Sequence, residues 1–161
     1  MAIESDISER KHAEQALAHE RNRYAGILGA QTELICRFEP DGRLTFVNEA
    51  FCRFFGVQAE AVVGHTWAPM VHPDDLDRVQ REVAALRPDH STVVIENRVH
   101  LANGDMRWGQ FVNRGFFDAR GQLIETQSVG RDITERKELE AQIHEARASL
   151  QDLYDNAPCA Y

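Results

Sequence analysis

Three cysteines, seven histidines and one adjacent pair of aspartates are the side chains here with the chemistry to cut, transfer or ligate. Cys36, Cys52 and Cys159 are odd in number, and no two are spaced as CxxC. They read as thiols in a reducing compartment, not as a disulfide frame or a zinc site. The histidines form no His-Glu-x-x-His pattern, so a metal centre has no support. Asp74 and Asp75 are neighbours at a helix start. Their side chains point apart and complement the helix dipole; they do not form a carboxylate pair for general acid and base work. No serine or cysteine accompanies a positioned base in a recognised motif. What remains is binding chemistry. Trp67 and Trp108 are either packing residues or walls on which a planar ligand stacks. Asn97 and Gln110 interrupt otherwise apolar strands. They are either solvent-facing positions, the plainer reading, or inward groups that orient a ligand against Val79 and Val83.

The composition admits such a binding domain. Of 161 residues, 43% are hydrophobic and 27% charged, enough apolar content for a core. A net charge of −8 with no Lys/Arg cluster argues against nucleic acid and anionic membranes. The apolar runs are too short to span a bilayer, and the first residues lack a signal-peptide pattern. The expectation is a cytoplasmic domain with no membrane contact.

The elements that must position these residues alternate between two periodicities. Glu33 to Glu39 is a short apolar run that ends at the turn signal Pro40-Asp41-Gly42, and Leu44, Phe46 and Val47 continue as a second strand. Asn48 caps a helix over Glu49 to Phe55 with Gly56 after it, and Ala59 to Val63 forms another that stops at Gly64. His72-Pro73-Asp74-Asp75 opens a longer helix whose face carries Leu76, Val79, Val83 and Leu86, and Arg87-Pro88-Asp89 ends it. Three strands follow, over Ser91 to Leu101, Met106 to Phe117 and Gln122 to Arg131, joined at Asn103-Gly104 and Asp118-Ala119-Arg120-Gly121. Apolar residues on both faces of the middle strand imply that it is covered on both sides. The order gives an α+β fold: a five-stranded antiparallel sheet with short helices on one face.

A repeat frames this core. Asp6-Ile7-Ser8-Glu9-Arg10-Lys11 recurs 126 residues later as Asp132-Ile133-Thr134-Glu135-Arg136-Lys137. A period of that size implies tandem domains. Each copy leads into helical sequence. After the second, Leu139, Ile143, Ala146, Leu150 and Leu153 fall at heptad spacing; after the first, Ala13, Leu17, Glu20, Tyr24 and Ile27 do, with Glu20 interrupting. These flanking helices either pack on their own domain or form a parallel coiled coil between two subunits.

The ordered motifs resemble the PAS family. Pro40-Asp41-Gly42-Arg43-Leu44 followed by Phe46-Val47-Asn48-Glu49-Ala50-Phe51 is similar to the start of a PAS core. Phe55-Gly56 through Val62-Val63-Gly64 matches its next helices, and His72-Pro73-Asp74-Asp75 the start of its long helix. Asn103-Gly104-Asp105-Met106-Arg107-Trp108 and Gly130-Arg131-Asp132-Ile133-Thr134-Glu135-Arg136-Lys137 resemble its C-terminal PAC half. The likeness spans about residues 23 to 138, and Leu153 to Tyr161 resembles the opening of a further copy. The resemblance implies four segments: 1–22 as the end of a preceding repeat and linker helix, 23–132 as the core, 133–153 as an exit helix, and 154–161 as the start of the next repeat. It implies a sensory module, not an enzyme, that binds a small molecule, dimerises, or both. Asp132, Ile133 and Thr134 would relay strain from the last strand to the exit helix; a plain helix cap is the simpler role for Asp132. A parent histidine kinase is implied by family habit, with a diguanylate cyclase as the alternative. Partners would be a second copy and neighbouring domains of the same chain. The alternative function is a ligand-free dimerisation and spacer module.

The cofactor stays open, with two forms disfavoured. Flavin photoreceptors of this family carry a reactive cysteine after the second short helix, where this chain has Gly64-His65-Thr66-Trp67; Cys52 lies one helix too early. Haem members carry an axial histidine on the long helix, and residues 74–87 contain none; His72 precedes it and His100 lies on a strand. His144-Glu145-Ala146-Arg147 resembles a kinase phosphoacceptor box, but Ala148-Ser149 replaces its Thr-Pro, so His144 reads as a solvated linker residue.

Overall fold

The computed structural model describes residues 9–19 and 32–157. Residues 9–19 are helical and are termed α1. The first half of the first repeat copy, the later part of the first heptad seam and the end of the Leu153–Tyr161 tail lie outside the described residues. The core runs β1 (Leu34–Phe38), β2 (Leu44–Val47), α2 (Glu49–Phe55), α3 (Ala59–Val62), a 3-10 turn (Ala68–Met70), α4 (Pro73–Ala84), β3 (Thr92–His100), β4 (Met106–Phe117) and β5 (Leu123–Asp132). The exit helix α5 is Thr134–Asp155. The strands form one antiparallel sheet in the order β2-β1-β5-β4-β3.

Local chemistry builds each piece. Asn48 accepts from Phe51 N at 2.9 Å to cap α2, and it also accepts from Ile35 N and donates to the Glu33 carbonyl, both at 3.0 Å. One side chain thus ends a strand, starts a helix and ties both to β1. Gly56, at φ 71°, closes α2 in the left-handed region. Helix α4 stops at Ala84, three residues before the Arg87-Pro88-Asp89 signal, and Leu86 is buried beyond its end.

The core lies between the sheet and the helices that connect β2 to β3. α2 packs on β1, α3 on β2, and α4 on β3. Ile95, Asn97 and Val99 of β3 and Asn113 of β4 point into this layer, as do Cys36, Phe38, Thr126 and Ser128. Both sheet edges are covered along part of their length, which limits the templates for strand addition. Residues 64–67 run along β2, with Leu44 N donating to the His65 carbonyl and Trp67 N to the Gly42 carbonyl. The start of α4 lies along β3, where His72 N donates to the Arg98 carbonyl.

The opposite face of β4 departs from the expectation of cover on both sides. Phe111 and Phe117 pack against the core, but Val112 and Phe116 are each 38% exposed. Trp108 and Gln110, near where α5 leaves the sheet, are half-buried on that face. Apolar residues on both parities therefore mark one face packed by helices and one left without a layer among the described residues.

Candidate functional site

A cavity of about 60 Å³ sits between α4 and the sheet. Trp67, Val79, Val83 and Asn97 line it, as four of the six candidate ligand-pocket residues require. Asn97 is 2% exposed, so the solvent-facing alternative fails for this residue. Its parity on β3 matches that of Ile95 and Val99, which aims it inward. Asn113 and Ser128, each 4% exposed, add two further polar groups to the wall. Sequence reasoning passed over both, although their alternation with buried neighbours was a usable signal.

Trp108 and Gln110 do not line the cavity. Gly109 pairs with Asn97, so Trp108 and Gln110, one residue to either side, point to the other face of the sheet. There Gln110 donates to the Glu96 carboxylate at 3.2 Å, and Lys137 Nζ lies 4.9 Å from the Trp108 ring centre. The inward position between them is Gly109. A Cβ on Gly109 or Gly130 would come within 2.6 Å of the Phe111 ring, which therefore lies against both glycines.

The wall is almost entirely uncharged, and Cys36 stays in character with it. Burial pushes this thiol up to about 12, against the smaller opposing effect of its bond with Ser128. It is a neutral packing group at physiological pH. Cys52 lies outside the cavity on α2. His72 caps α4, with Nδ1 accepting from Asp74 N at 3.1 Å, and its ring stacks on His100 at 5.1 Å; neither lines the cavity. A water fills roughly 10–15 Å³ on this measure, so about 60 Å³ admits only a few water-sized groups. A flavin or haem would require a much larger chamber. Among the described residues no cluster of three or more His, Cys, Asp or Glu could hold a metal, and no helix is long and apolar enough to cross a membrane.

The pair Asp74 and Asp75 needs correction. Asp74 is exposed at the helix start, but Asp75 is 7% exposed and more than a dipole partner. It accepts from Arg98 N at 2.8 Å, Arg98 Nε at 3.0 Å and Arg98 Nη2 at 2.7 Å. The Arg98 bonds hold its carboxyl down at about 2, against the opposing effect of burial. Arg78, one turn on, donates to the Glu96 carbonyl at 2.8 Å. Helix α4 is therefore clamped to β3 at two points.

A second junction joins the sheet to α5. Asp132 Oδ1 accepts from Thr134 N at 2.9 Å and from Thr134 Oγ1 at 2.6 Å. Trp108 N donates to Thr134 Oγ1, and Ile133 N to the Trp108 carbonyl, both at 2.9 Å. Ile133 is buried. Glu96 completes the junction, receiving Lys137 Nζ at 2.9 Å together with Arg136. The Lys137 and Arg136 bonds hold the Glu96 carboxyl down at about 2. Glu96 could not be singled out in advance, because its partners lie on an element 40 residues away.

Beyond this root, α5 has no buried residue. Leu139 and Ile143 are 52% and 53% exposed, Leu150 and Leu153 67% and 70%, and Ala146 is exposed with them. The helix does not pack its seam on its own domain among the described residues.

Comparison with known proteins agrees with this architecture. The family model described as "PAS fold" matches residues 28–138. The two-component sensor PprA of Pseudomonas aeruginosa is 30% identical over 138 residues, which are 86% of this chain and 15% of that protein. The probable diguanylate cyclase DgcE of Escherichia coli is 30% identical over 104 residues, 63% of this chain and 9% of that protein. The chain thus spans a small fraction of these relatives. A solved sensory box histidine kinase/response regulator from Burkholderia thailandensis superposes with a TM-score of 0.66 at 23% identity, covering 81% of this chain and 99% of that one. With a matching family model over most of its length and this fold, the chain belongs to the PAS family of sensory domains.

Proposed function

We propose that this sensory domain binds a small neutral molecule in the cavity beneath α4 and relays its presence through α5 to an output domain in the same protein. One observation carries the reading: α4 is both the wall of the cavity and, through β3, a neighbour of the root of α5. Val79 and Val83 face the cavity. Asp75 and Arg78 on the same helix hold Arg98 and Glu96 of β3, and the Glu96 carboxylate holds Lys137 and Arg136. A ligand that shifts α4 acts on β3 and so on α5, with Asp132, Ile133 and Thr134 as the covalent route and Glu96 as a parallel ionic one. Two chains would pair along Leu139, Ile143, Ala146, Leu150 and Leu153. Similarity to PprA favours a two-component output in the cytoplasm; similarity to DgcE keeps cyclic-dinucleotide synthesis as the second output. The domain itself supplies no catalytic step.

A second reading is a ligand-free dimerisation and spacer domain. The exposed seam on α5 and the small cavity favour it. Native mass spectrometry of the protein purified from cells, set against its denatured mass, separates the two. A retained small-molecule mass is expected for the sensor. A bare dimer whose α5 hydrogen exchange does not respond to cell extract fractions supports the spacer and overturns the sensor.

A further inference from the structure

We infer that Arg98 and Trp108 form a latch that couples α4 to α5 around the outer edge of the sheet, in parallel with the strands themselves. β3 is an edge strand. Asn97 and Val99, on either side of Arg98, point into the helix layer and are each 2% exposed, so the Arg98 side chain leaves β3 on the opposite face. Its cross-strand partner there is Trp108. The guanidinium carbon lies 5.7 Å from the centre of the Trp108 ring, and Lys137 Nζ of α5 lies 4.9 Å from it. Both fall within the range of about 6 Å in which an aromatic face attracts a cation. The same guanidinium reaches Asp75 at the start of α4, with Nη2 at 2.7 Å from Oδ1 and Nε at 3.0 Å from Oδ2. A side chain on an interior strand has neighbours on both sides and could not make that turn.

The two contacts of Arg98 differ in strength. A two-pronged, charge-assisted pair with a carboxylate is stronger than a cation on a ring. When the start of α4 shifts, Arg98 therefore follows Asp75 and gives up the ring. Asp75 and Glu96 neutralise Arg98 and Lys137, so both cations can sit beside one indole. Trp108 is in turn fastened to α5: its N donates to Thr134 Oγ1 and its carbonyl accepts from Ile133 N. Departure of the guanidinium thus removes from the root of α5 a contact that originates on α4. The latch rests on the reading of α4 as the element that a ligand moves, but the coupling itself operates without one.

The test is a double-mutant cycle of Asp75→Asn and Trp108→Leu in the full chain, read as hydrogen exchange over Thr134 to Glu140 and referenced to β1 amides, which report any general loss of stability. Asp75→Asn alone should speed this exchange about two- to fivefold, the range that one cation–ring contact supplies. In the Trp108→Leu background it should add nothing. Arg98→Lys, which keeps the charge and gives up the planar fork, is the gentler variant and should show the same dependence on Trp108. Equal acceleration with and without the ring overturns the latch and leaves the strands or Glu96 as the route. No acceleration by either variant with the ring in place overturns it as well. No ligand is involved, so a bare mass in the native spectrum leaves the latch standing, and a failed cycle leaves ligand binding standing.

Discussion

A carboxylate in the first turn of a helix is ordinarily solvated, yet both oxygens of Asp75 are spent on Arg98. Its folded-state pKa of about 2 lies below the ordinary 3.8, so the unfolded chain binds the proton more tightly. The stabilisation is complete above the unfolded value and is lost as pH falls through about 2. A shift of this size corresponds to about 2 kcal/mol. Asp75→Asn should therefore cost about 2 kcal/mol at neutral pH and flatten the acid limb of stability between roughly pH 5 and 2. Urea unfolding across that range checks it; parallel curves for variant and wild type would show that Arg98 gains nothing from the charge. The sequence displayed Asp75 only as one of two acids at a helix start. Its distinction from Asp74 arises because one side chain meets the edge of β3 and the other meets water.

At the scale of elements, the junction of β5 and α5 is where cap and relay coincide. Asp132→Ala removes the acceptor for Thr134 N and Oγ1, a cap loss of about 1 kcal/mol. The sheet should stay folded while hydrogen exchange in the first turns of α5 accelerates several-fold. Equal α5 protection in variant and wild type would remove Asp132 from the relay. Glu96 provides a second handle. Glu96→Gln and Lys137→Met should show a coupling of about 0.5–1 kcal/mol in a double-mutant cycle, the range of a partly exposed pair. Additive effects on α5 exchange would mean that the ionic tie does not hold the helix. The strands, turns and caps of this region were legible from period-two patterns and from Asn103-Gly104 and Asp118-Gly121. The side of the sheet on which each residue of β4 would fall was not, because apolar residues occupy both parities.

For the whole molecule, α5 poses the main energetic question. Its 22 residues extend about 33 Å with no buried side chain. Most helix stability in proteins comes from packing an apolar face, and the apolar seam of α5 is exposed, so a partner along it would add stability. If that partner is a second α5, Ile143→Asp should turn a dimer into a monomer in sedimentation and reduce helical circular dichroism, with the core intact. A dimer that survives the substitution would place the interface elsewhere, with the exposed outer sheet face around Phe46, Val94 and Val112 next in line.

What the sequence determined by itself was local: strand and helix periods, turn residues, caps, and the order of elements that implies an antiparallel sheet with helices on one face. Those features depend on neighbours within a few positions, so they survive without coordinates. Only the tertiary structure decided which polar residues face inward. Strand register sent Asn97, Asn113 and Ser128 to the cavity and turned Trp108 and Gln110 to the exit-helix side. It alone also brought Asp75 to Arg98 and Glu96 to Lys137, across 23 and about 40 residues of chain. Such pairings depend on how two elements are placed against one another, and no local pattern encodes that placement.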